Sequence, residues 1–233
     1  MARLHVLRVF CDETGQGGNP LAIFLDGREV PPGQRQAMAA ELGFSETVFV
    51  DDPERGGLQI FTPSVEIEFA GHPTVGSAWL LRERGMEPGE LRVPAGKLVV
   101  RFHGAAAFVA ARPDWGPPHQ WERLGSPQDV EALDGPPRNE DLIGAWAWLD
   151  EDAGVLRARV FLPGLGIDED EATGSAAVRL CAALGRPLDI RQGRNSRILA
   201  NPLSDGLVEI GGLTVLDEER DYSASNSGPN NSS

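Results

Sequence analysis

The sequence predicts an α+β protein of two pseudo-symmetric halves, each a set of mainly antiparallel strands wrapped round one apolar helix. Three observations carry that prediction. First, a segment occurs twice. Phe61-Thr62-Pro63 leads through Gly71-His72-Pro73-Thr74 to Gly76-Ser77-Ala78, and Phe161-Leu162-Pro163 leads through Asp170-Glu171-Ala172-Thr173 to Gly174-Ser175-Ala176. Self-similarity over such a length marks two units of like structure. Second, the triplets open runs that are apolar almost all round, 75–81 and 174–184, as expected of helices buried on every side. Third, the strand-like runs cluster and do not alternate with helices, which favours α+β over α/β.

Taken in order, residues 4–10 read as a strand rich in branched side chains. A glycine-rich turn over 15–20 separates it from a second strand at 21–25. Pro31-Pro32-Gly33 precedes a helix over 34–42, which Gly43 ends. Strands follow at 46–50 and 58–61, then the first apolar helix, expected to start near Gly76 and to stop at Gly85. Strands at 91–93, 97–103 and 106–110 complete a first half of 1–111. Prolines, glycines and charges gather over 112–139, read as a linker or long loop. The second half, 140–220, holds strands at 145–149 and 156–161, the second apolar helix, and closing strands near 190, 198–200, 207–210 and 213–216. The last of these are free to return to the first half. The tail, 221–233, is almost entirely Ser, Asn, Gly and Pro from Ser223 onward; with so little to bury it is expected to be disordered, and it is assigned no role.

Composition excludes several classes. A net charge of -14 and a pI near 4.7 argue against nucleic acid and anionic membranes, where basic patches supply the affinity. No run approaches the ~20 apolar residues of a membrane span, and the start of the chain reads as a strand and not as a secretory leader. Cys11 and Cys181 form neither a disulfide framework nor a metal-binding spacing, and His5, His103 and His119 show no ligand pattern, so these histidines read as structural or surface residues. Gly15-Gln16-Gly17-Gly18 lacks the lysine and hydroxyl residue of a phosphate loop and opens no helix, so no nucleotide is expected. A cytoplasmic enzyme without metal or cofactor fits best.

Aligning the two Gly-Ser-Ala triplets sets His72 opposite Asp170, an imidazole facing a carboxylate across a shared cleft. Small residues at a helix start also let an anion approach unpaired N–H groups and the positive end of the dipole, so both copies suit a small carboxylate. Plainer readings stand beside these. His72 could cap its helix or shape the turn before Pro73, Asp170 belongs to an acidic run over 168–171 of the kind usually solvated, and Ser175 could be a packing residue or a helix-start hydroxyl. No Gly-x-Ser-x-Gly elbow surrounds Ser175, so the sequence gives no basis for a serine nucleophile.

Several motifs together resemble the phenazine-biosynthesis PhzF-like isomerase family. They are Gly18-Asn19-Pro20-Leu21-Ala22, Phe44-Ser45-Glu46-Thr47-Val48-Phe49, Phe61-Thr62-Pro63, Phe69-Ala70-Gly71-His72-Pro73-Thr74, Glu169-Asp170-Glu171-Ala172-Thr173-Gly174-Ser175-Ala176, Gln192-Gly193 and Gly211-Gly212. The resemblance implies the fold of diaminopimelate epimerase, with barrel-like halves around central helices and the site between them, and a homodimer. It also implies a cofactor-free isomerase in which Glu46 moves a proton between carbons of a small carboxylate, with His72, Asp170 and Ser175 completing the polar set. Substrate contacts are implied at Asn19, Gly71, Thr173, Gly174 and Gly193. Glu46 falls on the strand face of Val48 and Val50, where desolvation would raise its pKa toward a useful value. An ordinary glutamate, bonded locally through Ser45 or Thr47, is the competing reading. The sequence departs from the family at Glu171, where a proline is usual, which places an extra charge near the site. It is also shorter than most relatives around 112–139 and after Gln192-Gly193. Two other functions stay open: a two-base racemase or epimerase, which would need a cysteine at each helix start, and a non-catalytic small-molecule binder on the same scaffold.

Overall fold

The computed structural model describes residues 2–222. Their elements in order are β1 (Ala2–Cys11), β2 (Gly17–Phe24), α1 (Pro32–Leu42), β3 (Thr47–Asp52), β4 (Gly57–Phe61), β5 (Glu66–Ile67), α2 (Gly71–Glu83), β6 (Glu90–Val93), β7 (Gly96–His103) and β8 (Ala106–Ala111). They continue with β9 (Gln120–Arg123), α3 (Pro127–Glu131), β10 (Ile143–Asp150), β11 (Val155–Leu162), β12 (Ile167–Asp170), α4 (Gly174–Leu184), β13 (Leu188–Gln192), β14 (Ser196–Pro202) and β15 (Val208–Tyr222). The class is mixed α+β, with the strands joined in one large and mainly antiparallel sheet.

The pairing path explains how that sheet takes up the two helices. From β1 it runs through β2, β3, β4, β6, β7 and β8 to β15, and β15 pairs back onto β1, from Ala2↔Tyr222 to Cys11↔Leu213. This ring packs around α2, which touches β1, β2, β3, β8 and β15. From β15 the path continues through β14, β13, β11 and β10 to β9, and α4 packs against β14 and β15. Gly211 explains how β15 passes between: a Cβ there would lie 2.3 Å from the Ala107 carbonyl oxygen, so only glycine lets β8 approach so closely. One apolar core unites both regions, with Val75, Ala78, Leu80 and Leu81 of α2 and Ala177, Val178, Leu180 and Cys181 of α4 inside it.

Four expectations change. The first apolar helix starts at Gly71 and not near Gly76, because Pro73 sits in the first turn, where its missing N–H is not needed. Gly76 is there for packing: a Cβ would come 2.6 Å from Leu21 and 2.8 Å from Val9. The 112–139 stretch is more than a connection, since it carries β9, paired parallel with β10, and the short helix α3. The strands read at 207–210 and 213–216 are one, β15, and it runs through Asp221 and Tyr222, two positions assigned to the tail. The rest of that tail, 223–233, lies outside the described residues.

Candidate active site

A cavity of about 950 Å³ opens where the starts of α2 and α4 meet. The two helices touch through glycine: a Cβ on Gly71 would lie 2.6 Å from the Gly174 Cα, and one on Gly174 would lie 2.8 Å from the Gly71 Cα. Any side chain at either position would force the helix starts apart. Neither start has a side-chain cap. Ala70, before α2, has no group to offer. Thr173, before α4, is a residue type that usually caps, but its hydroxyl donates to Asp170 Oδ2 at 2.6 Å instead. Two sets of first-turn N–H groups, each at the positive end of a helix dipole, are thereby left for an anion.

His72 and Ser175 are the second residues of their helices, and both line the cavity. Matching the helix starts therefore pairs His72 with Ser175. Asp170 is not at a helix start but at the end of β12, four positions before Gly174. Both of its carboxylate oxygens accept hydrogen bonds, from Asn19 Nδ2 at 2.8 Å and from Thr173 Oγ1 at 2.6 Å. Burial raises its pKa, opposed by the nearby His72 and by those two donors. An acid so fully engaged suits holding charge beside His72 better than carrying protons itself.

Glu46 immediately precedes β3, which lies parallel to β2. Its Oε2 stands 3.3 Å from His72 Nε2, with the Glu46 side chain 18% exposed and that of His72 5% exposed. Burial pushes the glutamate up to about 7, with Ser45 acting weakly against it. Burial pushes His72 down to about 4, although Asp170 and a backbone hydrogen bond to Pro20 favour its cation. The ring is thus neutral near pH 7. With its N–H committed to the Pro20 carbonyl, Nε2 is a lone pair turned toward Glu46.

The remaining expected residues act from behind this wall or along it. Gly71, Thr173 and Gly174 line the cavity; Asn19 and Gly193 do not. Asn19 reaches Asp170 and the Ala172 carbonyl from β2. Gly193 has φ +57, and a Cβ there would lie 2.3 Å from the Glu171 carboxyl carbon. Glu171 turns away from the cavity: its Oε1 accepts from the Arg194 N–H at 2.8 Å and from Ser196 Oγ at 3.0 Å, tying the β13–β14 turn to the loop before α4. Ser196 Oγ in turn accepts from the Gly18 N–H at 2.9 Å, at the start of β2.

Among the polar residues not anticipated as part of the site, Gln192 and His119 bond directly to expected ones; Ser45, Thr62, Ser64, Glu66 and Glu68 also line the cavity. Gln192 donates to the Asp170 carbonyl at 2.8 Å and to Thr173 Oγ1 at 2.9 Å, and accepts from the Thr173 N–H at 3.2 Å, locking the turn into α4. Its adjacency to Gly193 in one motif was the available signal. His119, read as a structural or surface residue, is buried in the cavity wall, with Nε2 3.2 Å from Ser175 Oγ. Apolar walls come from Phe69 and Trp115, whose rings meet edge to face at 5.8 Å, and from Leu142, Leu162 and Ile167. Among the described residues no lysine or arginine lines the cavity, and no three His, Cys, Asp or Glu side chains converge as a metal site. No helix among them is long and apolar enough to cross a membrane.

Comparison with known proteins gives the family and the fold. Residues 7–112 match the family described as phenazine biosynthesis-like protein. The trans-2,3-dihydro-3-hydroxyanthranilate isomerase of Pseudomonas fluorescens is 31% identical over 246 residues, covering 85% of this chain and 84% of that protein. A crystal structure of a phenazine biosynthesis PhzC/PhzF protein from Clostridium difficile superposes with a TM-score of 0.79 at 22% identity, covering 96% of this chain and all of the other. A probable proline racemase from Agrobacterium radiobacter has the same fold at a TM-score of 0.65 and 11% identity, covering 98% of this chain and 95% of that one. The chain belongs to the phenazine biosynthesis-like PhzF family and is an isomerase of that type.

Proposed function

We propose that the protein moves a proton between carbons of a small carboxylate-bearing metabolite, with Glu46 as general base and then general acid and with no cofactor. The observation that carries this is the Glu46 carboxyl, held near 7 by burial, beside His72 in a cavity that two uncapped helix starts also line. A group with that pKa is present in both forms at neutral pH, as an acid–base catalyst must be. Ionised Glu46 takes a proton from a carbon next to an unsaturated or carbonyl-activated group. The electron pair delocalises toward the substrate's activating group, where helix N–H groups hold the developing charge. The Glu46 acid then returns the proton to a second carbon, so nothing is oxidised or reduced. His72 Nε2 can accept from the Glu46 acid between the two steps, and Asp170 would stabilise any charge the ring gains.

The named relative acts on trans-2,3-dihydro-3-hydroxyanthranilate, an amino-carboxylate with conjugated unsaturation. That compound is the first substrate to test, and the carboxylate is assigned to the N–H groups at Gly71, His72, Gly174 and Ser175. The two halves are proposed to be related by an approximate twofold that brings these starts together. The chain is further proposed to be a cytoplasmic homodimer, which light scattering would test. The racemase alternative finds no support at the helix starts, which carry His72 and Ser175. Cys181 lies deep in α4, pushed up to about 12 by burial, and is no thiolate near pH 7. The test is solvent deuterium incorporation by the wild type and Glu46→Gln; an active Glu46→Gln enzyme would refute the assignment.

A further inference from the structure

His119 has a buried ring whose one hydrogen-bond partner among the described residues is Ser175, and the segment that carries it is clamped to α4. Gly116 lies so close that a Cβ on it would come 2.8 Å from the Ser175 Cβ, and Arg179 Nη2 of α4 donates to the Gly116 carbonyl at 2.8 Å. A tight turn follows, with the His119 N–H bonded to the Pro117 carbonyl at 2.8 Å. This arrangement sets the imidazole against the second residue of α4, as Glu46 is set against the second residue of α2.

Which ring nitrogen carries the hydrogen follows from what each one meets. Burial and the Arg179 cation hold His119 down at about 4, so near neutrality the ring has a single N–H. Nδ1 is buried and has no partner among the described residues. A hydrogen there would be a buried donor without an acceptor, which is more costly than a bare lone pair. The hydrogen therefore belongs on Nε2, 3.2 Å from Ser175 Oγ.

We propose that His119 is a positioning residue: it donates to Ser175 Oγ and so turns the serine hydroxyl hydrogen into the cavity, as a donor to the substrate carboxylate. This rests on the carboxylate reading above. It also answers a need of that reading, since no lysine or arginine among the described residues lines the cavity. The serine hydroxyl then joins the first N–H groups of α4 in a single cradle.

The experiment crosses His119→Ala and His119→Gln with Ser175→Ala. Turnover is read on trans-2,3-dihydro-3-hydroxyanthranilate, and affinity by calorimetry with anthranilate, a stable carboxylate of the same ring size. Loss of a donor to a charged group is expected to raise KM and the anthranilate Kd about tenfold in His119→Ala, with kcat within about threefold. His119→Gln keeps an N–H near the Nε2 position and should recover most of the affinity, and it serves if the alanine variant does not fold. In the Ser175→Ala background the His119 change should add less than about twofold. Equal losses of affinity in both backgrounds, or a glutamine variant as weak as alanine, would overturn the proposal, as would a wild type that binds no anthranilate. A wild type that binds anthranilate but exchanges no deuterium would refute the Glu46 reaction, and the binding comparison would still decide this one.

Discussion

His72 and Cys181 are buried and Glu46 is mostly so, and burial acts on each in the direction that disfavours charge. Only Glu46 ends near neutrality. That makes the roles separable by mutation. Glu46→Gln keeps the shape and removes ionisation, so the expected outcome is a folded protein whose deuterium exchange falls by about 10²–10⁴. Cys181→Ala should keep most turnover while losing stability, because its thiol is an uncharged packing group that donates only to the Arg186 carbonyl at 3.5 Å. Turnover measured on both variants, with melting temperature alongside, checks the pair; a dead Cys181→Ala that melts like the wild type would favour the two-base racemase. Glu46 and His72 were legible in the sequence because their neighbours form dense local motifs. His119 was not. Its partner Ser175 is 56 positions away, and nothing near His119 in sequence marks the contact.

Helices and strands set these residues in place, and most of them were legible from apolar patterning. The start of α2 was not, because Pro73 and Gly76 both look like breakers when the surrounding sheet is unseen. Gly76 answers to Leu21 and Val9, on strands β2 and β1, contacts that no local pattern reveals. The Gly71–Gly174 contact is the element-scale feature most open to test. Gly174→Ala would push a methyl to within 2.8 Å of the opposing backbone, so the helix starts must separate. The expected cost is about 1–3 kcal/mol by denaturant titration, with carboxylate affinity lost beyond what that destabilisation explains. Glu171 offers a contrasting case. It was expected to place a charge near the substrate, but it binds the β13–β14 turn and the Ser196 hydroxyl. Glu171→Ala should therefore loosen that turn, cost about 0.5–1.5 kcal/mol through the hydrogen bonds lost at this partly exposed turn, and leave KM within about twofold. A large KM change without loss of stability would return Glu171 to the site.

Across the whole molecule, the buried groups of the site and core make stability depend on pH in two opposing ways. His5, His72 and His119 are buried, and burial lowers the pKa of each, to about 4 for the latter two. Between roughly pH 6.5 and 4 the unfolded chain binds protons that the folded chain refuses, so acid should destabilise the protein through this window. Glu46 has the opposite sign. Its folded pKa is raised from 4.5 to about 7, so the folded state holds its proton more tightly between these values and loses stability as pH rises through them. Above pH 7 the buried carboxylate is a standing cost, which Glu46→Gln removes. The variant should therefore be more stable than the wild type at pH 8, by about 1–3 kcal/mol allowing for partial exposure of the side chain. The advantage should shrink below pH 7 and be nearly gone at pH 4.5, where Glu46 is neutral in the folded state and half-ionised in the unfolded one. Denaturant titrations of the two proteins at pH 8, 6 and 4.5 would check this. A constant difference at all three values would mean that Glu46 is not held near 7 and is an ordinary glutamate at the start of a strand.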